Sequence, residues 1–128
     1  MDLTATILLV DDFQVVRKTL KHHLRAMGFV NFEEAGDGNM ALEVLEQKKV
    51  DLVLLDWNMP VKSGFELLKE VRTKEEFNKL PIIMLTAEGT EEAVTQAVLA
   101  GATNYIVKPF NFDTLAKKIT QVMGKKSK

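Results

Sequence analysis

Three short apolar runs punctuate an otherwise mixed chain: ILLV at 7–10, LVLL at 52–55 and IIML at 82–85. Each is aliphatic and flanked by polar positions, which suits a strand buried on both faces of a parallel sheet. Between them apolar residues recur at helical spacing. Val16, Leu20, Leu24 and Met27 trace one helix with Gly28 as its C-cap, and Ala41, Val44 and Leu45 a second. Gly64, Leu67, Leu68 and Val71 trace a third, opened by Ser63-Gly64-Phe65-Glu66 as a capping box. Ala93, Val94, Ala97 and Val98 trace a fourth, stopped at Gly101, and the stripe Phe112, Leu115, Ala116, Ile119, Val122, Met123 a fifth. Two more polar strand candidates, 30–35 (diluted by Glu33 and Glu34) and 103–107, complete the alternation. Five β-α units in succession predict an α/β fold: a doubly wound, five-stranded parallel sheet with helices on both faces and right-handed crossovers. The apolar strands belong at its centre and the polar ones at its edges. Residues 1–4 and 124–128 read as tails, and 1–128 as one domain.

Composition narrows the function classes. The chain has 128 residues, and 17 Lys+Arg against 18 Asp+Glu leave a net charge of −1, which excludes a generally basic nucleic-acid binder. Cysteine is absent, so disulfides, thiol catalysis and cysteine-ligated zinc are excluded. The start Met1-Asp2-Leu3-Thr4-Ala5 has no signal-like pattern and the apolar runs are far shorter than a membrane span, so the chain reads as cytoplasmic.

Open α/β sheets bind ligands at the carboxyl ends of their strands. There the sequence places Asp11-Asp12, Asp56-Trp57-Asn58-Met59-Pro60, Thr86-Ala87-Glu88 and Lys108-Pro109-Phe110. If the strand order is 2-1-3-4-5, an arrangement borrowed from known doubly wound sheets such as flavodoxin, strands one and three are adjacent at the switch point and the three aspartates meet. Two carboxylates about 5 Å apart at an effective dielectric of 20 repel by about 3 kcal/mol. Protonation, Lys108 or a hard divalent cation would relieve this, and oxygen ligands beside open water positions suit Mg2+. Carboxylates, Mg2+, a hydroxyl and a lysine together suit phosphoryl transfer, with Asp56 as the nucleophile.

At these spacings Asp11-Asp12, Asp56, Thr86 and Lys108-Pro109 resemble the receiver domain of two-component response regulators. Within that family the chain looks nearest to the single-domain chemotaxis regulators. The resemblance covers nearly the whole chain and implies a flavodoxin-like (βα)5 fold. It implies that a histidine kinase phosphorylates Asp56, that Asp12 and Asp56 ligate Mg2+, that Asp11 acts chiefly through water, and that the Asn58 carbonyl adds a ligand. Thr86 and Lys108 would hold the phosphoryl oxygens, and Lys108-Pro109 would be cis. Asn58 and Glu88 would tune self-dephosphorylation, and Thr86 and Tyr105 would form the switch. Catalysis would be limited to self-phosphorylation and self-dephosphorylation. With no output domain seen after the fifth helix, the output would be a protein contact of a monomer through helix four, strand five and helix five. The flagellar motor switch is the leading partner; a relay or sink role, or a non-flagellar partner, is the alternative. Thr90-Glu91-Glu92 departs from the family pattern, because chemotaxis regulators often carry lysines there.

Other features have plainer readings. His22 and His23 are surface or boundary histidines without a metal-spaced partner. The six methionines read as core filler. Lys117, Lys118, Lys125, Lys126 and Lys128 read as a solvated face and tail. Trp57 would shelter the rim and report ligands there. Gly36-Asp37-Gly38-Asn39-Met40-Ala41 formally fits a dinucleotide fingerprint, but it follows an edge-like strand and puts Asp37 where a pyrophosphate would sit. An aspartyl phosphatase lacks its Asp-x-Asp acid here, since Trp57-Asn58 follows Asp56. A flavin-binding domain would place phosphate against uncompensated aspartates.

Overall fold

A computed structural model describes residues 1–124. The apolar runs form β1 (Thr6–Val10), β3 (Leu52–Asp56) and β4 (Ile82–Thr86), and the polar candidates form β2 (Asn31–Ala35) and β5 (Asn104–Val107). All pairings are parallel and the order is β2-β1-β3-β4-β5. The helices are α1 (Gln14–Met27), α2 (Gly38–Gln47), α3 (Gly64–Arg72), α4 (Glu91–Leu99) and α5 (Phe112–Met123), with a short 3-10 turn at Glu75–Phe77. Among the described residues no helix is long and apolar enough to cross a membrane.

The runs are apolar at every position because successive side chains enter opposite cores. Leu8, Val10, Val53, Leu55, Ile82 and Met84 pack with Ala41, Leu45, Leu67, Leu68, Val71 and Ala97 of α2, α3 and α4. Ile7, Leu9, Leu52, Leu54, Ile83 and Leu85 pack with Leu20, Leu24, Leu115, Ile119 and Met123 of α1 and α5. Full burial of each such side chain stabilises by about 1.5–3 kcal/mol, so the centre of the sheet anchors the fold. The edge strand β2 is stabilised differently. Glu34 pairs with Arg17 at 2.9 Å and Lys21 at 2.7 Å on α1, and Glu33 with Lys48 at 3.2 Å.

Local signals mostly act as the sequence suggests. Gly28 closes α1 at φ 108°, a left-handed position that disfavours any Cβ. The Ser63/Glu66 capping box opens α3 with both hydrogen bonds made. Helix α2 starts three residues before the apolar stripe at Ala41, because the Asp37 carboxylate caps it through the Met40 N–H at 2.8 Å. That bond occupies a donor a pyrophosphate would need, on an edge strand, which argues against the dinucleotide reading. The methionine expectation is corrected in part: Met59, Met84 and Met123 are buried, but Met1 and Met40 are exposed. The proposed tail lysines Lys125, Lys126 and Lys128 lie outside the described residues.

Candidate functional site

The chemistry-bearing residues sit on or just past the last rungs of the ladders. Asp11 N–H donates to Ala35 O at 3.1 Å, Trp57 N–H to Leu85 O at 2.9 Å and Lys108 N–H to Thr86 O at 2.7 Å. Backbone pairing therefore fixes where each side chain leaves the sheet. Lys108-Pro109 is a cis peptide.

Asp11 is fully buried and Asp56 nearly so, and one oxygen from each of Asp11, Asp12 and Asp56 lies within 4.8 Å of the others. Their occupancies differ. Asp11 Oδ1 accepts from the Phe13 N–H at 2.9 Å, and Oδ2 lies 3.4 Å from Lys108 Nζ. Asp56 Oδ1 accepts from Lys108 Nζ at 2.7 Å. Asp12 Oδ1 is buried and has no hydrogen-bond partner among the described residues. A buried, unpaired carboxylate oxygen beside two other carboxylates costs free energy that a bound cation would recover. An all-oxygen set with one lysine fits a hard divalent ion such as Mg2+.

The electrostatics reflect the crowding. Burial pushes the Asp56 carboxyl above its ordinary value, Asp11 and Asp12 push it the same way, and the Lys108 bond only partly opposes them. For Lys108 burial pulls downward, but the Asp56 hydrogen bond and the charges of Asp11 and Asp56 outweigh it and hold the ammonium above its ordinary range.

Not every sequence candidate points into this cluster. Thr86 is buried, but its hydroxyl closes a local turn, accepting from the Glu88 N–H at 3.0 Å and donating to Glu88 O at 3.3 Å. Asn58 and Glu88 are exposed and line a neighbouring cleft of about 380 Å3 with Trp57, Thr86, Glu92 and Gln96. Tyr105 is half-buried on β5, with Lys118 Nζ 4.2 Å from its ring centroid. His22 is exposed, and His23 sits against Phe110 and Phe112 as a boundary residue.

Two features escape the sequence reading, the close approach of Gly64 to β3 and the stacking of Phe65 on Trp57. Gly64 passes so close to β3 that a Cβ there would lie 1.9 Å from Asp56 O. Helical spacing alone marks Gly64 only as a member of α3. Trp57 stacks on Phe65 with centroids 5.1 Å apart and planes 6° from parallel. Two aromatics eight positions apart, one in a loop, carry no periodic signal.

The response regulator receiver domain model matches residues 7–120. Chemotaxis protein CheY-3 of Vibrio cholerae is 46% identical over 116 residues, covering 91% of this chain and 89% of that protein. The structure of V. cholerae chemotaxis protein CheY4 superposes with TM-score 0.87 at 38% identity, covering 94% of this chain and 99% of the other. A Thermotoga maritima response regulator, solved in complex with Mg2+-BeF, superposes with TM-score 0.82 at 35% identity over 94% of this chain and 100% of the other. Such similarity over nearly the full matched length shows that this chain belongs to the response regulator receiver domain family.

Proposed function

We propose that Asp56 accepts a phosphoryl group from the phosphohistidine of a histidine kinase, in a Mg2+-dependent reaction, and that the change is passed on by protein contact through α4, β5 and α5. One observation carries this reading: Lys108 Nζ donates to Asp56 Oδ1 at 2.7 Å, and among the described residues no donor is found on the other oxygen. That free oxygen attacks phosphorus while the P–N bond breaks, and the electron pair leaves on the imidazole nitrogen. The product is an acyl phosphate, and attack by water restores the carboxylate and releases inorganic phosphate.

Asp12 and Asp56, with the Asn58 carbonyl, would hold Mg2+, and Asp11 would act chiefly through water. When bound, the ion supplies charge that offsets the carboxylates and the phosphoryl oxygens. Lys108 stays ionised and is positioned to hold one phosphoryl oxygen. Thr86 holds another once its hydroxyl leaves the Glu88 backbone. Tyr105 then turns inward as the loop after β4 moves, a two-state element biased by local charge. Asn58 and Glu88, at the mouth of the adjoining cleft, set access for the hydrolytic water. The chain acts as a monomeric switch, with catalysis confined to its own phosphorylation and dephosphorylation. No part of this role calls for nucleic acid or a membrane.

The chemotaxis proteins among the relatives support chemotaxis signalling, with the flagellar motor switch as the leading partner. Glu91 and Glu92 in the first turn of α4 favour a second reading, a relay, a sink or a non-flagellar partner. Trp57 fluorescence tests the chemistry. Mg2+ and then beryllofluoride should each perturb the wild type, and Asp56→Asn should lose the beryllofluoride response. An undiminished response in the variant would assign the acceptor elsewhere. Retention of a motor-switch peptide only by the beryllofluoride form would favour the first output; no retention alongside intact phosphorylation would favour the second.

A further inference from the structure

The cleft beside Thr86 does not end at the acidic cluster. It continues along the seam between α3 and α4 into a second hollow of about 350 Å3 lined by Phe65, Lys69, Gln96, Leu99 and Ala100. Gln96 lines both hollows, so they adjoin at that side chain. The two ends of this seam differ in chemistry. At one end Glu88, Glu91 and Glu92 are exposed, and among the described residues none of them is in an ion pair. At the other, Leu99 is 82% exposed and lines the hollow with Phe65, whose ring stacks on Trp57 and carries the Lys69 ammonium 4.6 Å from its centroid.

The sheet does not need this arrangement. Helix α4 buries only Ala97, and Val98 beside it is also exposed. The first turn of α4 carries both Glu91 and Glu92.

We infer that the α3–α4 groove docks a basic amphipathic helix of a partner protein. An apolar side chain sits between Phe65 and Leu99, and Lys or Arg residues reach Glu91 and Glu92. Leu99 follows Glu92 by seven positions, two turns or roughly 10 Å along α4. The partner should therefore present its apolar anchor and its cations about two turns apart. Charge complementarity selects this occupant, since anionic lipid or nucleic acid would meet unpaired carboxylates. The surface shares α4, with Glu91 and Glu92, with the α4–β5–α5 face but uses the side toward α3, and docking there needs no phosphoryl group on Asp56.

The test selects from a displayed library of helical peptides on the full chain, without Mg2+ or phosphoryl donor. Enriched peptides should carry Lys or Arg about two turns from an apolar residue. They should bind Leu99→Arg and Glu92→Lys at least about tenfold more weakly than wild type and weaken with added salt. Because both side chains are exposed, unchanged thermal midpoints verify that the variants fold. Enrichment of acidic peptides, indifference to both substitutions, or no enrichment would overturn the inference. So would sedimentation with phosphatidylglycerol vesicles, or dimerisation of the chain that Leu99→Arg abolishes, which would give the groove to a second copy.

Discussion

Val61 follows Pro60 in the loop after Asp56 and is 94% exposed at φ 71°. The Lys62 N–H donates to Pro60 O at 2.8 Å, so Val61 centres a γ-turn in the left-handed region. A β-branched residue there costs about 1–2 kcal/mol, and no contact of an exposed side chain offsets it. Val61→Asn should raise stability by about 1 kcal/mol in urea unfolding at an unchanged slope; no gain would mean the turn relaxes without strain. Gly64 is sensitive in the opposite way. Gly64→Ala must displace the backbone that carries Asp56, so a loss of at least about 2 kcal/mol and slower Asp56 phosphorylation are expected together. Asp56 itself should oppose folding. Its folded pKa is raised above the ordinary 3.8, so the native state releases its proton later than the unfolded chain. Without Mg2+, Asp56→Asn should then be more stable than wild type. The gap should be small below pH 4, widen as pH rises through the raised pKa, and stay constant above it. Thermal midpoints across pH would reveal the reverse trend if Lys108 outweighed burial.

The edge strand β2 invites a contrasting titration. The Lys21 hydrogen bond lowers the Glu34 pKa below its ordinary 4.5 against opposing burial, with Arg17 assisting. A depressed acid stabilises above its unfolded pKa and loses that contribution as pH falls through its folded value. Glu34→Gln should therefore cost stability at neutral pH, the gap closing in acid and narrowing in high salt. With about a third of the Glu34 side chain exposed, screening limits the loss to about 1 kcal/mol or less. A gap independent of pH would assign the loss to packing. The same strand shows what was legible at this scale. The central strands were readable because burial on two faces leaves only apolar residues, and β2 was recognisable as an edge by its glutamates. The start of α2 was missed because Asp37 sets it through a cap, upstream of any periodicity. The left-handed turn at Val61 was hidden because valine gives no sign of it.

Across the whole molecule, the candidate site was readable because strand polarity gathers residues that are distant in sequence at one rim. Asp11, Asp56, Thr86 and Lys108 each mark the end of a different strand, so no local pattern was needed. The rest is set by tertiary geometry: which Asp56 oxygen Lys108 takes, the orphaned oxygen of Asp12, and the Thr86 hydroxyl turned toward Glu88. These details couple the site to global stability. The acidic cluster joins the ends of β1 and β3, neighbours at the centre of the sheet, so a cation bound there must be released before the core opens. A ligand at ten times its Kd that binds only the folded state adds about 1.4 kcal/mol. Mg2+ should therefore raise the wild-type unfolding midpoint by a few degrees, reversibly with a chelator, and slow amide exchange at the ends of β1 and β3. Asp12→Asn should unfold at the same midpoint with or without Mg2+, since it removes the carboxylate whose buried oxygen has no other partner. Equal stabilisation of wild type and variant would place the cation elsewhere and leave the orphaned oxygen without a role.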